Sequence, residues 1–292
     1  MIKLSQLQGL FATEDACKAF LTKHRWPEGV RCPRCGNAKV YKLASRPWHW
    51  QCHGCAKKGY RFSVISGTVF ENTKVPLRTW FTVAFLMLHS KKGMSAMQIQ
   101  RTLGLGSYRS AWYMCHRVRA AMDNQDFTRL MGEVEVDETY VGGRSENRHR
   151  AERKRRAGKH LKVPAVAAIA RKGKVVARVI EKADIPTLDG FVNEVVNSEN
   201  VSLIATDEHW GYSKLSDAGY PHETVKHRVG EYARGVVHTA NLDSFWSLLK
   251  RGIMGSYHQV SKKYLPFYLA EFTFRHNHRT DADLFASVLA AC

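Results

Sequence analysis

The sequence predicts an α/β protein in which a strand-and-helix C-terminal half follows two small, basic modules. Three observations predict it. Two Cys-x2-Cys pairs fall within the first 60 residues, three helix-length segments punctuated by Ser and Gly follow them, and alternating β-branched segments begin at residue 132.

The composition bounds the partner. The chain has 292 residues, 44% hydrophobic and 24% charged, which excludes wholesale disorder. It carries 45 Lys and Arg against 26 Asp and Glu, a formal charge of +19, so a polyanion is expected, nucleic acid first. The excess is partitioned: residues 1–75 carry net +9, residues 76–130 net +6 and residues 131–292 only +4. Within that last part Arg144 to Lys162 alone holds +7, which leaves the remainder weakly acidic at −3. No apolar run reaches the ~18 residues of a membrane span; Phe81 to Leu88 is interrupted by Thr82 and stopped by His89. The opening MIKLSQLQGLFATED lacks a secretory apolar region, which predicts a cytosolic protein. In a reducing compartment, seven cysteines favour metal over disulfides.

The first module is expected over 1–72. Cys32 and Cys35, 16 intervening residues, then Cys52 and Cys55 give the spacing of a four-thiolate ribbon, two knuckles holding one structural Zn²⁺ tetrahedrally. Pro33 and Gly36 bend the first knuckle and Gly54 loosens the second. His53 reads as a knuckle filler, the alternative being that it replaces a cysteine ligand. Cys17, Cys115 and Cys292 have no partner at metal spacing and read as packing or tail residues.

The second module is expected over 73–126. A helix starts at Pro76 and runs through LRTWFTVAFLMLHSKKG to Gly93; Ser95 caps AMQIQRTLG, closed by Gly104; Ser107 caps YRSAWYMCHRVRAAM. Helix, short Gly-containing turn and helix read as a helix-turn-helix, with Met97, Ile99, Leu103, Trp112 and Met114 as its core. Tyr108, Arg109, Arg117 and Arg119 are then available to DNA, because phosphate contacts dominate affinity. A plain three-helix spacer with solvated arginines is the competing reading.

From residue 127 to 280 the pattern changes. GEVEVDETYVGG (132–143), VPAVAAIA (163–170) and VVARVIE (175–181) read as strands, Thr187 to Asn197 as a helix capped by Thr187, VSLIATD (201–207) as a buried strand, and Asn241 to Arg251 as an amphipathic helix. Three strands, a helix, a strand and a helix form the order of a ribonuclease-H-like α/β domain. That order places Asp137 on the first strand, Asp207 at the end of the fourth and Asp243 on the later helix. Phosphodiester chemistry with two Mg²⁺ ions needs such carboxylates converging from separate elements, with Mn²⁺ an expected substitute. Glu133 and Glu135 share the face of Asp137 by the two-residue period and are candidates to join it, whereas Glu138 and Glu208 point the other way. Lys250, two turns after Asp243, projects from the same helix face and can meet a phosphate as a point charge. His238 reads either as a phosphate- or water-orienting group or as a structural histidine.

Several strings together carry a resemblance: LRTWFTVAFLMLHSKKGMSAMQIQRTLG, AWYMCHRVRAAM, VEVDETYVGG, TDEHWGY and HTANLDSFWSLLKRGIMGSYHQVSKKYLPFYLAEFTFRHNHR. The chain resembles the ISXO-like insertion-sequence transposases of bacteria, which join a zinc ribbon to a DDE-type integrase domain. The resemblance implies nicking of DNA at an element's terminal repeats and attack of the freed 3′-hydroxyl on target DNA. It implies double-stranded DNA as partner, a homo-oligomer on that DNA, no membrane, and a cytoplasmic, nucleoid-associated location. By its motifs Asp137, Asp207 and Asp243 are the acids and Lys250 their companion. The family varies its third position among Glu, Asn and His, whereas this chain has Asp, one methylene shorter than Glu; Asn241 and His238 are candidate substitutes for that ligand.

The basic insertion after the first catalytic strand, with Arg148, Arg150, Arg153, Lys154, Arg155 and Arg156, reads either as a solvated loop or as a loop that orders on DNA phosphates. Arg251 is a further candidate DNA contact, and Tyr257, His258, Tyr264, Arg275, His276 and His278 form an aromatic and basic region before a tail at 281–292. Two other functions compete: a ribbon and helix-turn-helix regulator with an inactive transposase-like domain, and a ribonuclease-H-type RNA hydrolase.

Overall fold

A computed structural model describes residues 3–55, 58–123, 128–143, 162–281 and 284–290. Arg148, Arg150, Arg153, Lys154, Arg155, Arg156 and Cys292 lie outside them. No described helix is long and apolar enough to cross a membrane. The chain divides into two compact units, 1–122 with 280–292, and 123–279.

The first unit begins with α1 (Leu4–Leu10) and α2 (Glu14–Arg25), whose first turn is capped by the Thr13 hydroxyl. A three-stranded antiparallel sheet follows, β1 (Val40–Lys42), β2 (His49–Cys52) and β3 (Tyr60–Ser63), with β2 central. Next come α3 (Leu77–His89), α4 (Ala96–Leu103) and α5 (Tyr108–Met122). α3 ends at His89, short of Gly93. Its start is closed from a distance: Pro76 offers no side-chain cap, and the Glu14 carboxylate accepts from the Leu77 and Arg78 N–H groups, both at 3.1 Å. Ser95 accepts from Gln98 N–H and Gly104 takes the left-handed conformation (φ 62°) that ends α4, as the sequence suggests. Ser107 accepts from Arg109 N–H at the start of α5.

The expected three-helix core holds in part. Ile99 and Met114 are buried, Leu103 and Trp112 are half-buried, and Met97 is exposed. The core gathers on α3, α5 and a C-terminal helix, Leu284–Ala290, where Phe285 meets Phe11, Phe20 and Phe81 with ring centroids 5.7–6.3 Å apart.

The second unit is built on one mixed five-stranded sheet. Its strands are β4 (Leu130–Val141), β5 (Val163–Ala170), β6 (Val175–Val179), β7 (Val196–Asp207) and β8 (His222–Val225), in the order β6-β5-β4-β7-β8. β4, β5 and β6 are antiparallel neighbours, while β7 and β8 run parallel to β4. A small pair, β9 (Ala233–Arg234) and β10 (Val237–His238), leads into a helix. The helices of this unit, continuing the count, are α6 (Ile185–Val195), α7 (Ala240–Gly252) and α8 (Leu265–Asn277), so the C-terminal helix of the first unit is α9.

The strand pleat assigns the two faces. Val134, Val136, Val166 and Ala168 pack under α6 through Leu188, Phe191, Val192 and Val195. Val141, Ala165, Ala167 and Ile169 pack under α7 and α8 through Leu242, Phe245, Leu249, Leu269 and Phe272. The result is three layers, helix, sheet, helices. α6 starts earlier than Thr187 predicts, because Asp184 accepts from the Thr187 N–H at 3.2 Å and Pro186 fits the first turn. It also ends earlier, because Val196 adopts the extended conformation (φ −103°, ψ 140°) and opens β7. β7 therefore starts five residues before the strand expected at Val201.

Candidate active site

The sheet brings the first two acids together. β4 and β7 are parallel neighbours with Glu135 opposite Ala205, so two residues further on Asp137 stands level with Asp207, the last residue of β7. Carboxylate oxygens of Asp137, Asp207 and Glu138 all lie within 4.8 Å of one another. Burial holds the Asp137 carboxyl up at about 8, and the negative charges of Glu138, Asp207 and Asp243 add to the shift. Asp243 is thus near enough to be felt at Asp137, although it sits on the exposed first turn of α7 outside the three-carboxylate cluster. Its carboxylate faces the Thr239 hydroxyl at 3.4 Å.

Glu138 corrects the strand-period expectation. It starts from the α6 face of the sheet, as its position requires, yet it joins Asp137 and Asp207. Alternation separates two faces only while the neighbouring strand continues, and β7 stops at Asp207, one position short of Glu138. Two residues of the TDEHWGY string then hold it: the Tyr212 hydroxyl donates to Glu138 at 2.8 Å, and His209 Nε2 lies 3.7 Å away. Burial first and Asp207 second raise the Glu138 carboxyl. Burial, with Glu138 next, pushes the Tyr212 phenol well up, so it stays a donor. The signal available in the sequence was the adjacency of Glu138 to Asp137 at a strand end. Glu208 does face away, accepting from the His227 and Arg228 N–H groups at 2.6 and 3.0 Å.

The other acids of β4 leave the cluster. Glu135 is fully buried and accepts from Asn241 and Leu242 at the start of α7, with His238 Nδ1 at 3.2 Å. Glu133 pairs with Arg171. Asn241 Nδ2 donates to Glu135 at 2.7 Å, so Asn241 and His238, the candidate substitutes for the third ligand, are both engaged with Glu135 instead. Lys250 is exposed at the end of α7, seven residues after Asp243, and Arg251 is exposed beside it with its Nε on the Ser247 carbonyl.

The chemistry of this donor set fits a hard divalent cation. Carboxylates that are buried and clustered disfavour their own charge, as at Asp137, and oxygen-binding cations are what relieve such a cluster. The ribbon fits a different ion. Cys32 Sγ lies 3.8 Å from Cys55 Sγ, and Cys35 Sγ lies 3.7 Å from Cys52 Sγ. Four sulfurs placed tetrahedrally ~2.3 Å from one Zn²⁺ stand ~3.8 Å apart. Within the first knuckle the Gly36 N–H returns to the Cys32 carbonyl, with Gly36 at φ 72°, a turn that suits glycine. Burial first, and then the crowding sulfurs of Cys32, Cys35 and Cys52, hold the Cys55 thiol up at about 12, a shift that a cation at their centre removes. His53 contacts Gln51 and takes no part in the sulfur cluster.

Of the residues expected to face DNA on α5, Tyr108 and Arg109 are exposed. Arg119 is only 2% exposed, which corrects its expected place on a DNA-facing surface: the helix turns it into the unit. Arg117 is half-buried and donates to the Glu71 and Thr68 carbonyls at 3.1 and 3.3 Å, bracing the approach to α3.

Comparison with known proteins finds a match over each of the two regions. Residues 12–58 match the transposase zinc-ribbon domain, and residues 129–277, about half the chain, match the ISXO2-like transposase domain. The chain is 29% identical over 278 residues to an uncharacterized protein in transposable element ISH50 of Halobacterium salinarum, covering 91% of both chains. A solved chain from the simian T-cell lymphotropic virus intasome in complex with PP2A regulatory subunit B56 gamma matches at 11% identity and a TM-score of 0.32. That match covers 67% of this chain and 65% of the other, under two thirds of it, and is too distant to carry weight. With the four-cysteine ribbon inside one match and the level pair Asp137 and Asp207 inside the other, the chain belongs to the ISXO2-like transposase family.

Proposed function

We propose that the protein is the DNA transposase of an insertion sequence, binding the element's terminal repeats and carrying out Mg²⁺-dependent strand nicking and strand transfer. The observation that carries this reading is the level placement of Asp137 and Asp207 at the ends of parallel neighbours, with Glu138 within 4.8 Å and Asp243 close enough to raise Asp137. Asp137, Asp207 and Asp243 would hold the cations, with Glu138 beside them. Divalent cations bound there supply positive charge to the scissile phosphate and acidify the attacking oxygen. In the first step a water oxygen bonds to phosphorus and the P–O3′ bond breaks, leaving a 3′-hydroxyl and a 5′-phosphate. In the second, that 3′-hydroxyl bonds to a target phosphorus and displaces the target's own 3′-oxygen. Tyr212 and His209 hold Glu138 in place, and Lys250 gives the flanking phosphate a point charge.

The ribbon, held by Cys32, Cys35, Cys52 and Cys55 on Zn²⁺, and the helices α4 and α5, acting as a helix-turn-helix with Tyr108 and Arg109 outward, would grip the repeat DNA. The basic insertion at 144–162 and Arg251 would add phosphate contacts, and two or more copies would bring the two ends together. Incubating terminal-repeat duplex with Mg²⁺ tests the reading. Wild type nicks at the repeat end, and Asp137→Ala lowers the rate more than ~100-fold, beyond what losing outer-shell support costs a metal site. Binding without nicking by the wild type would point to the regulator reading instead.

A further inference from the structure

The acid of β4 that leaves the cluster has a consequence for the one that lies outside it. Glu135 is fully buried, and both oxygens are occupied: Oε1 accepts from Asn241 Nδ2 at 2.7 Å and Arg171 Nε at 3.1 Å, and Oε2 accepts from the Asn241 and Leu242 N–H groups at 2.9 and 3.2 Å. It therefore offers no oxygen to a cation. What it does is close the N-terminus of α7. The helix's own cap residue, Thr239, makes no side-chain cap, and its hydroxyl faces the Asp243 carboxylate instead. The capping role passes to a carboxylate on a strand more than one hundred residues earlier in the chain.

That strand is the one that carries Asp137. Glu135 and Asp137 are two residues apart on one face of β4, a separation of ~6.6–6.8 Å along the strand. Asp243 lies one residue beyond Leu242, whose N–H Glu135 holds. Arg171 completes the brace. It pairs with Glu133 and Glu135 and donates to the Val236 and His238 carbonyls, which fixes the segment entering α7. We propose that Glu135 is a positioning residue of the active centre, setting Asp243 relative to Asp137 while contributing no ligand of its own. The inference rests on the transposase reading and names the residue on which its third carboxylate depends.

The test is Mn²⁺ binding to the full chain, followed by electron paramagnetic resonance, in a double-mutant cycle with Asp243→Asn. Glu135→Gln keeps the shape and removes the charge. If it acts through Asp243, it weakens Mn²⁺ binding ~10-fold or more in the wild-type background, the range for lost outer-shell partners. In the Asp243→Asn background, where Asp137, Glu138 and Asp207 remain, the same change shifts the affinity less than ~2-fold, as expected when the coupling partner is gone. Glu194→Gln, which removes the exposed partner of Arg178 outside the brace, leaves Mn²⁺ affinity within ~2-fold in either background, as for a surface ion pair. Equal weakening by Glu135→Gln in both backgrounds, or none in either, overturns the inference. Should Glu135→Gln lose the fold by circular dichroism, Arg171→Lys takes its place. It keeps the charge, loses the planar fork and must show the same dependence on Asp243. Wild type that neither binds Mn²⁺ nor nicks repeat DNA overturns the transposase reading itself. Wild type that does both, with Glu135→Gln unchanged, overturns the positioning role alone.

Discussion

Asp207 stands level with Asp137 across the parallel β4–β7 pair, two residues past the point where Glu135 faces Ala205. Parallel pairing puts both side chains at the same end of the sheet, where β7 stops, so two residues 70 positions apart share one half-buried edge. Everything proposed for this protein's chemistry depends on that juxtaposition.

The clamp on Glu138 is testable separately. Tyr212→Phe removes only the hydroxyl that donates to Glu138 at 2.8 Å. A hydrogen bond to a charged acceptor contributes roughly 1.5–3 kcal/mol. The variant is expected to unfold at lower denaturant by about that amount and to need more Mg²⁺ for half-maximal nicking. Unchanged metal dependence would show that Glu138 is not held for the site.

The ribbon should answer to its ion. Cys32→Ser, or chelation of zinc, is expected to weaken binding to terminal-repeat DNA while leaving the β4–β8 sheet folded, because the sulfur cluster belongs to the first unit. Gel-shift titration reads the first effect and circular dichroism the second. Full end binding after complete zinc removal would separate the ribbon from DNA recognition.

The C-terminal helix belongs to the core of the first unit. Phe285 is 2% exposed and lies against Phe11, Phe20 and Phe81. Phe285→Ala is expected to cost roughly 3–5 kcal/mol, as for other buried aromatic deletions. Proteolysis of the 1–122 region should accelerate accordingly. Resistance equal to the wild type would contradict this packing.

One histidine predicts a pH dependence. Burial, with Arg279 second, holds His276 down at about 4 against an ordinary value of 6.5. The folded state therefore resists the proton that the unfolded chain takes up below pH 6.5. The sign follows: its contribution is whole above pH 6.5 and is lost as pH falls toward 4. The denaturant midpoint of the second unit should drop over that window, and His276→Gln should flatten the drop. Equal slopes for the two proteins would assign the acid sensitivity elsewhere.

Much of this was legible beforehand, for physical reasons. The strand, strand, strand, helix, strand, helix order follows from β-branched alternation and from one amphipathic helix, and Asp137 and Asp207 follow from that order. The ribbon follows from spacing alone. What escaped the sequence depended on neighbours distant along the chain. Glu138 reaches Asp137 and Asp207 because β7 ends beside it, although Tyr212 holds it from the α6 side. Arg119 is buried although its charge suggests a surface. α3 is capped by Glu14, 63 residues away, and α7 by Glu135, 106 residues away, and no local motif announces either. Asn241 and His238 looked like spare ligands because they lie close to Asp243 in the chain, and their partner turned out to be Glu135.

The most direct test of the central claim is the metal preference of Asp207→Cys in the nicking of terminal-repeat DNA. A thiolate is a poor ligand for Mg²⁺ and a better one for softer ions. If Asp207 holds a catalytic cation, the variant is inactive with Mg²⁺ and recovers measurable nicking with Mn²⁺, while the wild type works with both. Wild-type rates from Asp207→Cys in Mg²⁺ would contradict the account.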